Sequence, residues 1–234
     1  MTLFMNKTRV SSTLWVSFIA IATFMSCSSS QETAMVTINA PEVAPLTEAM
    51  VPTPDPRVGL DAGLFDAEEA VWNLEVLSQT PPPEKFIGKT NSDLAFQGNY
   101  AFQGNYNGII VWDISDPTNP VLVNDYECPA SQSDVSVYGN LLFVSGEGLG
   151  GRIDCGTEGV QEAVSADRLR GIRIFDIKDI QNPEYIANVQ TCRGSHTHSV
   201  LKDPNDDENI YVYVSGSYVV RSDEELAGCS DLQP

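Results

Sequence analysis

The chain is 234 residues long and carries 13 Lys and Arg against 32 Asp and Glu, a formal charge of -19. A surface of that sign repels nucleic acid and anionic lipid, which excludes a DNA- or RNA-binding role. Hydrophobic residues make up 42% of the chain, enough to build a core, and the length allows one or two domains.

The chain opens on a targeting pattern. Lys7 and Arg9 precede an apolar run over 13–25 that ends at Ser26-Cys27. A basic start, a short apolar stretch and a small residue before the cut form a secretory signal over 1–26. The run is shorter than the roughly 20 residues a membrane-spanning helix needs. Phe24-Met25-Ser26-Cys27, followed by Ser28-Ser29-Ser30, resembles a bacterial lipoprotein signal, although Leu is usual where Phe24 stands. That resemblance implies acyl chains on Cys27 and, with Ser28 rather than Asp after it, an anchor in the outer membrane or at the cell surface. More than one chain gives a stable anchor. The alternative is an ordinary secreted protein in which Cys27 has no special part. Residues 27–57 have no Lys or Arg before Arg57, and they are rich in Ser, Thr, Ala, Glu and Pro. Such a composition buries too little apolar surface to order itself and reads as an extended, disordered tether.

Residues 58–234 hold whatever folds. Asp66-Ala67-Glu68-Glu69-Ala70 contains good helix formers and predicts a short helical turn within 58–69. Val71 to Gln79 reads as a lone outer strand, able to pair with the last unit of a ring. A repeat follows. Ser92-Asp93-Leu94-Ala95-Phe96-Gln97-Gly98-Asn99 returns 41 residues later as Ser133-Asp134-Val135-Ser136-Val137-Tyr138-Gly139-Asn140. Gly108 to Pro120 returns 63 residues later as Gly171 to Pro183, so the second copy carries an insertion over 147–170. A third copy begins near His198 and continues as Ile210 to Gly216. Each copy reads as four short strands. In the first they run from Asp93 to Gln97, Tyr100 to Gln103, Gly108 to Ile114 and Val121 to Tyr126. Gly98-Asn99 and Asn107-Gly108 mark hairpin turns, and Asp116 to Pro120 marks a tight reversal. The doubled hexapeptide Ala95–Tyr100 and Ala101–Tyr106 reads as two adjacent strands of one hairpin. The expected fold is all-β: a β-propeller of four-stranded blades, about two and a half of them present. Blades are expected over 92–127 and 133–191, with an incomplete one over 196–234.

At these residues the chain resembles the LVIVD-repeat β-propeller proteins. The matching elements are Gly98-Asn99 and Gly139-Asn140, the apolar strands ending at Asp113-Ile114 and Asp176-Ile177, and Asp116 to Pro120. The second copy departs from the pattern where Ile180 replaces the first Pro. The resemblance covers about 70–217; it implies the fold and an exported or surface-anchored setting, and it says nearly nothing of chemistry.

In a four-stranded blade the second-to-third loop and the link to the next blade lie on one face. The insertion, the tail after Gly216 and the links near Cys128 and Cys192 therefore gather on that face, where loops on a rigid scaffold commonly bind. Four cysteines besides Cys27 suit an exported chain with disulfides. Repeat equivalence favours Cys128–Cys155 and Cys192–Cys229, one staple used twice; a zinc site of four thiols is the alternative, without any C-x-x-C pair.

Asp93, Asp134 and His198 align at the start of the innermost strands. His196 and His198, two apart, are expected on one side of a strand. These four are candidate ligands for a divalent metal ion, with hydrogen bonding to strand ends and acid–base catalysis as the other readings. Asp203 to Asn209 alternates acids like the front of a calcium loop but reads as a hairpin turn, because Gly and Glu are missing where that loop needs them. The expected function is a binding module at the bacterial cell envelope. Its partners are the membrane, through the lipid, and an unidentified protein, glycan or small cationic ligand. The alternative is a metal-dependent, hydrolase-like enzyme at the channel mouth. The chain is expected to be the N-terminal part of a longer protein, or an open arc with an exposed sheet edge.

Overall fold

A computed structural model of the protein describes residues 52–63, 66–72 and 74–230. The signal segment, Cys27 and the tether before residue 52 lie outside the described residues. The chain divides into two compact units, Met1–Glu68 and Glu69–Pro234. In the first, the expected helical turn is absent from the described residues. Asp61 and Glu68 instead clasp each other: the Glu68 amide donates to the Asp61 carbonyl, and the Asp61 amide donates to the Glu68 carboxylate. Partners seven residues apart satisfy the backbone groups that a helical turn would have paired locally.

The second unit holds all the strands of the described residues, and it corrects one expectation at its start. The described part of 71–79 forms no strand. A strand needs a ladder partner, and among the described residues no strand pairs with this segment. Leu74, Val76 and Leu77 stay exposed, and the segment is tied down by Ser78 Oγ donating to the Pro117 carbonyl at 2.8 Å. A single 3-10 turn, Glu84–Phe86, then buries Phe86 completely.

The first blade is a four-stranded antiparallel sheet in sequential order: β1 (Asn91–Gln97), β2 (Tyr100–Asn105), β3 (Gly108–Asp113) and β4 (Val121–Glu127). The second repeats it with β5 (Gln132–Tyr138), β6 (Leu141–Gly146), β7 (Gly171–Asp176) and β8 (Glu184–Gln190). β9 (Thr197–Lys202) and β10 (Ile210–Ser215) form a two-stranded sheet. The first strands β1, β5 and β9 stand side by side as the inner row. Among the described residues there is no α-helix. The fold is all-β, a partial β-propeller whose sheets do not close.

The equivalence of the two blades reaches single hydrogen bonds. The Ile114 amide donates to the Asn99 carbonyl, and the Ile177 amide donates to the Asn140 carbonyl. Asp113 and Asp116 each accept an amide two residues on, from Ser115 and Thr118; Asp176 and Asp179 do the same with Lys178 and Gln181. These Asx turns reverse the chain between third and fourth strands. They explain why Ile180 in place of proline leaves the second blade intact. Between the blades, Phe102, Ile109 and Val111 of the first pack against Val135, Leu142, Val144 and Phe175 of the second.

Gly108 and Gly171, at matching positions, have φ of 143° and 151°. An added Cβ would lie 2.1 Å from the Tyr126 carbonyl oxygen at Gly108 and 1.9 Å from that of Val189 at Gly171. Gly98 also has a positive φ, 56°, but opens onto empty space. Gly108→Ala and Gly171→Ala should therefore destabilise the fold well beyond the roughly 1–2 kcal/mol that left-handed backbone alone costs at Gly98→Ala. Urea unfolding of the three variants reads this; equal losses in all three would contradict it.

Candidate functional site

The face that carries the loops is built outward from the ends of β2, β6 and β10 and the links before β5 and β9. Both staples expected from the repeat are present. Cys128 joins Cys155 with Cα atoms 4.4 Å apart, and Cys192 joins Cys229 at 5.3 Å. Each ties an inter-blade link to the loop beyond the second strand.

Beneath the first staple lies Arg173 of β7, fully buried. It donates to the carbonyls of Cys128, Pro129 and Arg152, at 3.0, 3.0 and 2.8 Å. Burial pushes this guanidinium down to about 10, so it stays charged at neutral pH. The insertion and the tail are locked by a second buried group. Glu225 takes Arg168 on one carboxylate oxygen and Arg221 on the other, the latter at 2.7 Å, with all three side chains almost fully buried. The Ser165 amide also donates to Glu225, at 3.0 Å. Arg170 donates to the carbonyls of Glu147 and Val219 and lies 5.2 Å from the centre of the Tyr218 ring.

Glu147, the first residue of the insertion, is buried and holds the tail to the link. One oxygen accepts the Ser217 amide at 2.5 Å, the Ser217 hydroxyl at 3.0 Å and the Tyr218 amide at 3.0 Å. The other accepts His196 Nδ1 at 2.8 Å. Burial raises the carboxyl, but the donated hydrogen bonds outweigh it and hold Glu147 below the usual carboxylate range.

The four candidate ligands, Asp93, Asp134, His196 and His198, do not come together as a metal site. Among the described residues, no three His, Cys, Asp or Glu side chains are placed to hold a metal ion. His196 and His198 also part company. His196 sits on a bend before β9, half exposed, turned to Glu147. His198 is inside β9, 8% exposed, and reaches Ser145 Oγ through Nδ1 at 2.9 Å. The i, i+2 rule fails because His196 lies outside the strand whose pleat it presupposes. Proton accounting fixes the tautomer of His198. Ser195 donates to the Thr197 carbonyl, so Ser145 donates to Ser195, and His198 Nδ1–H must donate to Ser145. Its Nε2 is left buried and unbonded. Burial pushes His198 down to about 4, against a partial upward pull from Asp93. Asp93 accepts the Leu94 amide at 2.9 Å. Burial raises the carboxyl of half-buried Asp134; a hydrogen bond with the Thr197 side chain opposes this, and Asp93 adds to it. The acids of 203–209 cap their own turn: Asp203 accepts the Asn205 amide and Asp206 that of Glu208.

The sequence reasoning missed Glu147, Arg168, Arg170, Arg173, Arg221 and Glu225. One signal was available: Arg173 occupies the repeat position of Ile110, an apolar site in the first blade. A shallow groove of about 340 Å³ opens beside the insertion, lined by Tyr106, Pro129, Ala130, Ser131 and Gly148 to Gly151.

The class defined by this architecture is an arc of propeller blades carrying a stapled loop face. Comparison with known families agrees: residues 88–128, which span the first blade, match the LVIVD repeat. No curated protein matches the chain.

Two outcomes follow for the buried ionisable groups. Glu225→Ala leaves two buried guanidinium groups unpaired and should cost about 3–5 kcal/mol in urea unfolding, where a surface pair would cost under about 1. For His198 the folded value lies below the unfolded 6.5, so the unfolded chain binds the extra proton between pH 6.5 and about 4. Stability from this group is complete above pH 6.5 and declines as pH falls to about 4, by about 3 kcal/mol in all. His198→Asn should remove that component; identical pH–stability curves for the two proteins would refute the assignment.

Proposed function

We propose that this protein is an exported, lipid-anchored β-propeller module that binds a partner at the bacterial cell envelope through its stapled loop face. The observation that carries the reading is the pre-organisation of that face. Two disulfides, Glu225 between two arginines, and Glu147 across three segments hold long loops in one arrangement. Rigid loops lose little entropy on binding, which is what makes such a surface an efficient one for recognition. The Ser26-Cys27 junction supports the anchor, and the disulfides fit an oxidising compartment. No helix among the described residues is long and apolar enough to cross a membrane; attachment in this reading comes from the acyl chains on Cys27.

Two measurements test the parts separately. In cells, Cys27→Ala should move the protein from the membrane fraction to the soluble one; retention in the membrane fraction would reject the anchor. A photo-crosslinker at Leu149, exposed in the insertion, should trap a discrete adduct on intact cells. The same group at Val121, on the outer strand of the first blade, should not. Equal adducts from both positions would reject the loop face as the binding surface.

A further inference from the structure

The third sheet presents a surface that the loop face does not include. β9 and β10 form a sheet of two strands, and among the described residues no strand pairs with the outer edge of β10. Two strands alone are marginal in water, and a free apolar edge is a template for another strand. The register sets Val212 opposite Val200 and Val214 opposite His198. Val212 and Val214 face the second blade, where they line a cavity of about 80 Å³ with Phe143, Ile172, Ile174 and Val189. Alternation turns Leu201, Tyr211 and Tyr213 to the opposite face, where they are 52%, 48% and 61% exposed.

The equivalence of the blades says what such a surface meets. In the first blade Ile109, Val111, Val123 and Tyr126 form an apolar shelf. An aromatic pair of the second blade covers it: Phe175 of β7 meets the Tyr126 ring edge-on at 5.2 Å, and Tyr185 of β8 lies beside Phe175 at 5.1 Å. The second blade carries the same shelf 63 residues on, as Ile172, Ile174, Ile186 and Val189. There Ile186 and Val189 stay 49% and 54% exposed. The chain thus has a shelf without its aromatic cover. It also has an aromatic pair without a shelf, Tyr211 and Tyr213, with ring centres 6.4 Å apart.

One chain cannot bring the two together, because the tyrosines point away from its own second blade. A second copy can. A two-fold axis perpendicular to β10 would put both second blades on one face of the joined sheet, where they collide. An axis along the strands pairs β10 with its copy in parallel and places the second blades on opposite faces. The joined sheet, in the order β9-β10-β10-β9, then has four strands, as each complete blade does.

We propose that the outer edge of β10 is a dimerisation edge, on which two copies of this chain complete one four-stranded blade and each lays Tyr211 and Tyr213 on the other's Ile186 and Val189. The occupant is a second copy because this contact continues the interface already formed between the first and second blades. It is independent of what the loop face binds.

Photo-crosslinking in intact cells tests this on the full chain, expressed as two differently tagged copies. A benzophenone amino acid in place of Tyr213 should give an adduct carrying both tags, and peptide mapping should place the link on β8 of the other copy. Val189→Asp should cut that adduct about tenfold or more, because it buries an unpaired carboxylate in the contact. Val189 is exposed within each chain, so a thermal melt should show the fold retained. Absence of a doubly tagged adduct, a link within a single chain, an adduct with a different protein, a link outside β8, or undiminished yield from Val189→Asp each overturns the proposal. The Leu149 adduct, read in the same cells, separates failure of this contact from failure of the loop-face reading.

Discussion

A guanidinium buried between two blades is the interaction on which the loop face depends. Arg173 sits in the middle of β7, where the first blade has the apolar Ile110. It replaces a packing contact by three hydrogen bonds, to both residues at the start of the inter-blade link and to the insertion. A charge in that position is tolerable only because carbonyl oxygens meet it. Without it, the carbonyls of Cys128 and Pro129 would also lose their donor. The link and the insertion are therefore coupled from beneath by Arg173 and from outside by the Cys128–Cys155 bond.

The outer layer repeats that logic with different chemistry. Glu225 joins the insertion to the tail through Arg168 and Arg221, and Glu147 joins both to the link before β9. An ion pair buried this deeply contributes little net stability over apolar packing, but losing one partner is costly. What it provides is a single arrangement for loops that have few apolar residues of their own. Glu147 directs its carboxylate at His196 and at the Ser217 and Tyr218 amides, which ties the link to the tail.

Much of the blade architecture was legible in the residues. Period-two apolar runs, Gly-Asn turns and Asp-Pro reversals located the strands to within one or two positions, because each signal acts on backbone a few residues away. The disulfides were legible through repeat equivalence, which turns a pairing problem into a comparison of positions. The site was less so. His196 and His198 look alike by spacing, yet one lies on a bend against Glu147 and the other is buried against Ser145. The Arg168–Glu225 contact spans 57 residues, and no local pattern announces it. The segment 71–79 has strand-like composition, but no described strand pairs with it, and strand formation depends on a partner that local sequence does not supply.

The hexapeptide Ala-Phe-Gln-Gly-Asn-Tyr, which occurs twice in succession, separates the two kinds of information. Composition and alternation by themselves determined that both copies enter one antiparallel hairpin, since β propensity and the first Gly-Asn turn are properties of neighbouring residues. Tertiary packing decided everything that distinguishes the copies. Phe96 is 62% exposed and Phe102 is 0%, because register sets Phe96 opposite Ala101 and turns Phe102 toward the second blade. Gly98 turns the chain with open space around it, whereas Gly104 lies inside β2, where a Cβ would meet the Ser133 carbonyl. Identical residues acquire different roles because burial is a relation between strands, fixed only when the next blade arrives.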